Sequence, residues 1–196
     1  MKTFNAFFTV FAAVAVLAAC SSTNMDGRPA PKMAFENLTP VSLRVEKVDF
    51  VMNYNPGADA QDISGRFAIS PTEAMRRYTA SRYQAVGGEN TLRVTVEQAS
   101  MHLRQIQQKN SALKWADIGT EDEYELNMTV RAVPVRPDRT EGTSAQWKFR
   151  RTLVMPQSVS LADREKRQLA FMEKLISDVD ASMMPALSSD MNLVVR

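Results

Sequence analysis

The chain has 196 residues, 44% of them hydrophobic and 23% charged, with 24 basic side chains against 22 acidic and a formal charge of +2. That mixture excludes a disordered chain, a collagen-like fibre and a polytopic membrane protein. The even charge balance also argues against nucleic acid as a partner, because that binding rests on concentrated basic charge.

Met1 and Lys2 make a short positive start, and an apolar run over residues 6–17 follows, interrupted only by Thr9. The run is too short to cross a membrane as a helix and has the length of a signal-peptide core. Cys20 is the only cysteine. It excludes a disulfide within the chain, and a lone cysteine in an exported protein asks for a role. Two readings are open: a secretory signal cleaved after Ala19 that leaves a free thiol, or a lipidated cysteine. The order Leu17-Ala18-Ala19-Cys20 resembles the lipobox of bacterial lipoproteins. The resemblance implies a diacylglyceryl thioether on Cys20, cleavage before it and N-acylation after it. Such acyl chains anchor a protein far more firmly than one chain does. Ser21, rather than Asp, follows the cysteine, which by the same resemblance favours a periplasm-facing place on the outer membrane over the inner one. Residues 1–19 are then the lipoprotein signal peptide. Residues 20–40, with Gly27, Pro29, Pro31 and Pro40, are a lipidated flexible tether, and residues 41–196 are a single α+β domain.

Val41, Leu43 and Val45, then Val48, Phe50, Met52 and Tyr54, alternate as a strand does, with a one-place skip at Glu46-Lys47 that predicts a β-bulge. Ser70-Pro71-Thr72-Glu73 has the form of a capping box with proline at the first helical position. The helix it opens is expected to reach about Val86, with Ala74, Met75, Tyr78, Ala85 and Val86 on its apolar stripe, and to stop at Gly87-Gly88. Leu92, Val94 and Val96, then Ala99, Met101 and Leu103, mark a second strand with a skip at Glu97-Gln98. Residues 105–120, including Trp115, read as a polar connection. A third strand carries Tyr124, Leu126, Met128, Val130 and Ala132 and ends at Pro134 and Pro137. A turn over residues 138–143 leads to a fourth strand with Ala145, Trp147, Phe149 and Leu153, which makes a hairpin with the third. Ser160 and Asp163 open a long helix through Leu161, Leu169, Met172, Leu175, Ile176, Val179 and Met183, which Pro185 ends or kinks. Residues 191–195 are apolar but have no evident place. The expected fold is α+β: a four-stranded, mainly antiparallel sheet in the order β-α-β-β-β-α, with both helices on one face.

A second resemblance follows from these segments. The run Ser70-Pro71-Thr72-Glu73-Ala74-Met75-Arg76-Arg77, its continuation through Ala80-Ser81-Arg82-Tyr83-Gln84-Ala85-Val86-Gly87-Gly88, and the strand Leu92-Arg93-Val94-Thr95-Val96-Glu97-Gln98-Ala99 resemble uncharacterised small lipoproteins of the Gram-negative envelope. The lipobox, tether and element order are similar to those of the lipopolysaccharide-assembly lipoprotein and of the auxiliary lipoproteins of ABC-type lipid transport. The resemblance implies a structural or accessory role and brings no catalytic residue with it.

The residues agree with a chain that is not an enzyme. His102 is the only histidine, so a histidine-rich metal site cannot be built. It falls at an outward strand position, where an exposed neutral ring is the plain expectation. No nucleophile elbow or phosphate loop is present. The acidic run Glu121-Asp122-Glu123 with Glu125 reads as a solvated edge, and most of the twelve methionines fall on core positions. No cofactor or metal is expected beyond the lipid on Cys20.

The polar side of the sheet is more informative. Arg44, Arg93, Arg131, Lys148 and Arg150 all alternate away from the apolar set. They form either a solvated surface of cross-strand pairs or a docking face for an envelope protein or an anionic glycolipid, since guanidinium groups suit phosphate and carboxylate. The expected function is that of a non-catalytic, membrane-anchored accessory or scaffold subunit in envelope transport or assembly. The alternative is an envelope hydrolase or transferase acting near its anchor.

Overall fold

The structure is a computed structural model, and it describes residues 31–107 and 119–195. The expected signal peptide, the acylated Cys20, the first part of the tether and Trp115 lie outside the described residues. The chain divides into residues 1–30 and a compact unit from Pro31 onward, and the description below concerns that second unit.

The unit is α+β. In chain order it comprises β1 (Val41–Leu43), β2 (Lys47–Met52), α1 (Pro71–Arg82), β3 (Tyr83–Ala85), β4 (Thr91–Gln107), β5 (Thr120–Val135), β6 (Ala145–Pro156) and α2 (Leu161–Pro185). The main sheet has the order β2-β4-β5-β6. β2 is parallel to β4, and β4, β5 and β6 form an antiparallel meander. The other two strands, β1 and β3, form a parallel pair of their own, to which Val194 adds an antiparallel bridge at Leu43. The expected order lacked these two strands.

The skip at Glu46-Lys47 is therefore not a bulge. The chain leaves one sheet at Leu43 and enters the other at Lys47. The partner segment does the same: pairing partners differ by 42 in number along β1–β3 and by 44 along β2–β4, so the second strand takes up two extra residues. They fall within residues 86–90, which include Gly87 and Gly88. Both have positive φ, 105° and 144°, and a Cβ on Gly88 would sit 2.8 Å from the Arg44 carbonyl oxygen. The glycines thus allow the sheet crossover instead of stopping α1. The helix ends earlier, at Arg82, because Tyr83 turns inward to stack edge-on against Tyr78. Ala85 and Val86 are exposed, and the buried stripe of α1 is Pro71, Ala74, Met75, Tyr78 and Thr79.

Both serines cap as the sequence predicts, but the Glu73 carboxylate, instead of closing the box on Ser70, accepts from Arg76 and Arg77. Ser70 Oγ accepts from the Glu73 amide at 3.2 Å and Ser160 Oγ from the Asp163 amide at 3.2 Å, each satisfying an otherwise orphaned donor. The register shift of β4 falls between Val96 and Gln98, which leaves Val94 and Val96 on the same face as Ala99 and Met101. β5 runs through Pro134 instead of ending before it. β6 pairs only as far as Ala132, so the missing proline N–H disrupts no ladder there.

Both helices pack on one core, whose sheet members are Leu92, Val94, Val96, Met101, Leu126, Met128 and Val130, and whose α2 members are Met172, Leu175, Ile176, Val179 and Met183. Met33 and Phe35, only 1% and 5% exposed, belong to it as well. Residues 31–40, expected to be tether, are fixed on the domain. Arg77 donates to the Pro31 carbonyl at 3.0 Å, and the Ala34 amide donates to Glu173 at 2.9 Å. The C-terminal segment also finds its place: the Val195 amide donates to the Ser42 carbonyl at 2.9 Å, and the Arg44 amide to Leu193 at 2.7 Å.

Candidate functional site

With both helices on the apolar face, the other face of the sheet is built from strand alternation. Antiparallel register sets Thr95, Arg131 and Gln146 in one row; Gln98, Thr129 and Lys148 in the next; then Ser100, Asn127 and Arg150; then His102, Glu125 and Thr152. Arg93 sits beside Asp49 on the parallel side. Four of the five basic residues expected on this face, Arg93, Arg131, Lys148 and Arg150, are there. Arg44 is not: it lies at the bend between the two sheets, where its carbonyl backs Gly88.

The arginines are matched by carboxylates, one on the strands themselves and one from a turn that alternation does not reach. Glu141, in the turn between β5 and β6, receives Arg131 at 2.5 Å and lies 3.9 Å from Arg93. The Arg131 guanidinium holds the Glu141 carboxyl below its ordinary value and is itself pushed up. Glu125 accepts from Arg150 at 2.8 Å and from Asn127 at 3.0 Å, and the Arg150 contact holds its carboxyl low. Glu123 pairs with Arg104 at 2.7 Å, and the bulge residue Glu97 accepts from Gln146 at 2.5 Å. Such exposed pairs are screened by solvent and add little to stability. Their main effect is to cancel the charge over β4 and β5. Lys148 has no acidic partner within 4 Å among the described residues.

Beside β2 this face forms a cleft of about 480 Å³, lined by Asp49, Arg93, Thr95, Glu97, Arg131 and Glu141 among others. Its floor carries both signs of charge. It suits a ligand with hydrogen-bonding groups and both charges better than a simple anion.

Three further polar clusters, none of them foreseen, join elements to one another. Asp62 receives the Met101 amide at 2.8 Å, the Ser64 amide at 2.8 Å and the Tyr54 hydroxyl at 2.7 Å, and the Ile63 amide donates to the Met101 carbonyl at 2.8 Å. The loop after β2 is thereby fastened along the edge of β4. Burial pushes the Asp62 carboxyl up, but these bonds outweigh it and the net shift is downward. His102 faces outward as expected, yet it is held by Asp59 in the same loop at 2.7 Å, and that contact, with the Gln61 amide, lowers the Asp59 carboxyl.

Asp122, expected in a solvated edge, is 7% exposed and accepts from Gln157 at 2.9 Å and Arg164 at 3.1 Å. Burial raises its carboxyl and these donors lower it further than that. The third cluster links the two helices: Asp180 of α2 accepts from Tyr78 and Arg82 of α1. Local patterns gave no signal for the contacts that join distant segments, because Met101, Gln157, Arg164, Tyr78 and Arg82 each lie 35 or more residues from the acid they bind.

No family model matches the chain, and no curated protein matches its sequence. Among solved structures the chain is similar to a minor lipoprotein from Acinetobacter baumannii, at 11% identity over 79% of this chain and 98% of that one, with a TM-score of 0.37. It is also similar to a DUF330 protein from Xanthomonas campestris, at 14% identity over 83% and 92% of the two chains, with a TM-score of 0.35. A third is a Helicobacter pylori protein described as a neuraminyllactose-binding hemagglutinin homologue, at 10% identity over 86% and 94%, with a TM-score of 0.36. Similarity at this level transfers no function. No described helix is long and apolar enough to cross a membrane.

Proposed function

We propose that this chain is a non-catalytic lipoprotein, anchored through lipid on Cys20 to the periplasmic side of the outer membrane, and that it serves as an accessory or scaffold subunit in envelope transport or assembly. The observation that carries the anchor is the register of Leu17-Ala18-Ala19-Cys20 behind a short apolar run. The scaffold role is supported by the use of the strongly oriented ionisable groups. Asp62, Asp122 and the Tyr78–Asp180 cluster each fasten one element to another, an arrangement suited to a platform, and the β6 side of the outer face, with Gln146, Lys148, Arg150 and Thr152 exposed, is left to meet a partner. Because Glu141 and Glu125 lie among the cations of this face, an envelope protein with both signs of charge suits it better than an anionic glycolipid.

The anchor is tested by labelled fatty-acid uptake and membrane fractionation of Cys20→Ser, which should remain an unacylated precursor. Unchanged labelling of that variant would refute it. The scaffold role is tested by capture of envelope proteins with the wild type and with the double variant Arg131→Glu, Arg150→Glu. A folded double variant that captures the same proteins in the same yield would remove this face from consideration, and turnover of a lipid or cell-wall substrate by the purified chain would overturn the non-catalytic reading.

A further inference from the structure

β6 closes one side of the main sheet. All twelve of its residues pair with β5 in one unbroken register, from Ala145 opposite Ala132 to Pro156 opposite Glu121. Among the described residues no strand lies beyond it, and the backbone of residues 145–155 forms no hydrogen bonds outside that pairing. In an antiparallel edge strand, alternate residues direct N–H and C=O away from the sheet. β6 therefore presents a long row of free backbone groups that no bulge or internal proline interrupts; its guard is charge, from Lys148 and Arg150, which turns away like-charged strands and leaves the edge open to an acidic one.

The side chains of β6 restrict what can pair with it. Its sequence, Ala-Gln-Trp-Lys-Phe-Arg-Arg-Thr-Leu-Val-Met-Pro, holds three cations and no anion. Lys148 and Arg150 project on the outer face, and the Arg150 side chain is 72% exposed despite its contact with Glu125. On the other face Trp147, Phe149 and Leu153 are only partly buried against the core. Arg151, on that same side, pairs with Asp178 of α2. A second copy of the chain, pairing edge to edge, would set cations opposite cations or neutral residues in every register, and like charges across a strand pair are destabilising.

We propose that the β6 edge takes an added strand from a partner protein: an extended segment whose residues alternate between acidic and apolar. Its carboxylates would lie beside Lys148 and Arg150 on the outer face, and its apolar side chains would cover Trp147 and Phe149 on the inner one. Main-chain bonds supply affinity in this mode and the alternating side chains supply the choice of sequence. The inference rests on the geometry and charge of β6 and is independent of whether Cys20 carries lipid.

The test uses the full-length protein in detergent and three blocked, dye-labelled decapeptides. One alternates Glu and Val, one alternates Lys and Val, and one has the five Glu residues grouped before the five Val. Binding is followed by anisotropy and located by amide hydrogen exchange. The alternating Glu peptide should bind at least tenfold more tightly than the other two, and it should slow exchange at alternate β6 amides. Lys148→Glu with Arg150→Glu should lose that binding by tenfold or more and gain binding of the Lys peptide, a reversal that also shows the variant is folded. Lys148→Glu alone should show the same trend more weakly. Equal binding of the grouped peptide, protection at β2 instead of β6, or no effect of the charge reversal would each overturn the proposal. So would slow exchange at β6 in the unliganded protein together with sedimentation as a dimer, because the edge would then belong to a second copy.

Discussion

The Tyr78 hydroxyl donates to Asp180 Oδ1 across 2.6 Å, joining α1 to α2 through residues 102 apart in sequence. Since that proton points at the carboxylate, the 2.8 Å contact between Tyr78 and Tyr83 has Tyr83 as donor. Arg82 completes the cluster on the same carboxylate at 2.8 Å and also reaches the Thr39 carbonyl. Burial, first, and the neighbouring Tyr83 and Asp180 push the Tyr78 hydroxyl far above its ordinary value, so it remains a donor at any working pH. Tyr78→Phe removes one bond to a charged group and leaves the buried Tyr83 hydroxyl only the weak Met183 sulfur acceptor, 4.0 Å away. The expected loss is about 1.5–3 kcal/mol, read as a lower urea midpoint with an unchanged slope.

Gly88 and Gly87 separate two effects. A methyl group on Gly88 meets the Arg44 carbonyl oxygen at 2.8 Å, whereas on Gly87 it meets nothing within 4 Å. Both residues have positive φ, so either alanine variant carries backbone strain, typically about 1–3 kcal/mol. Gly88→Ala should be clearly the more destabilising of the two. Equal midpoints in thermal or urea unfolding would show that the Arg44 strand can move aside.

The helix caps are expected to be independent of one another. Ser70→Ala and Ser160→Ala should each cost about 1 kcal/mol, and the double variant should cost the sum, because the two sites share no partner. Chemical denaturation of the three variants checks both the size and the additivity.

The acid side of the stability profile follows from Asp62 and Asp122. Both carboxyls lie below their ordinary value of 3.8 in the folded protein. The unfolded chain therefore takes up protons first as pH falls, and the stability these groups contribute is complete above that value and lost on acidification through and below it. The urea midpoint should fall between about pH 5 and pH 3. Asp122→Asn should lower stability at neutral pH and flatten that part of the profile. A profile as steep as that of the wild type would show that other carboxylates govern it.

Local signals made much of this fold legible. Ser70 and Ser160 act within three residues of themselves, so their caps could be read directly. The β4 bulge could be read because alternation resumes on the same face after Glu97. The skip at Glu46-Lys47 looks the same in sequence, but there the cause is a partner segment 42–44 residues away, and a period-two pattern does not record which strand lies alongside. Gly87-Gly88 carried a correct local message, positive φ, whose setting was a sheet crossover and not a helix end. Arg93, Arg131, Lys148 and Arg150 could be placed on one face by parity alone. The pairing of Arg131 could not, because Glu141 reaches it from a turn, whereas Glu125 meets Arg150 across the β5–β6 hairpin as the cross-strand reading allowed.

The fixed position of Pro31, Met33 and Phe35 against the helices has a consequence for reach. With lipid on Cys20, only the eleven residue steps from Cys20 to Pro31 separate the bilayer from the folded body, and covalent geometry limits them to about 40 Å even when fully drawn out. On the lipoprotein reading, the outer sheet face and the β6 edge stay close to the membrane that holds the anchor. A partner embedded in that membrane, or resting on it, is within range, whereas one seated on a more distant membrane would have to extend a segment of its own toward this protein.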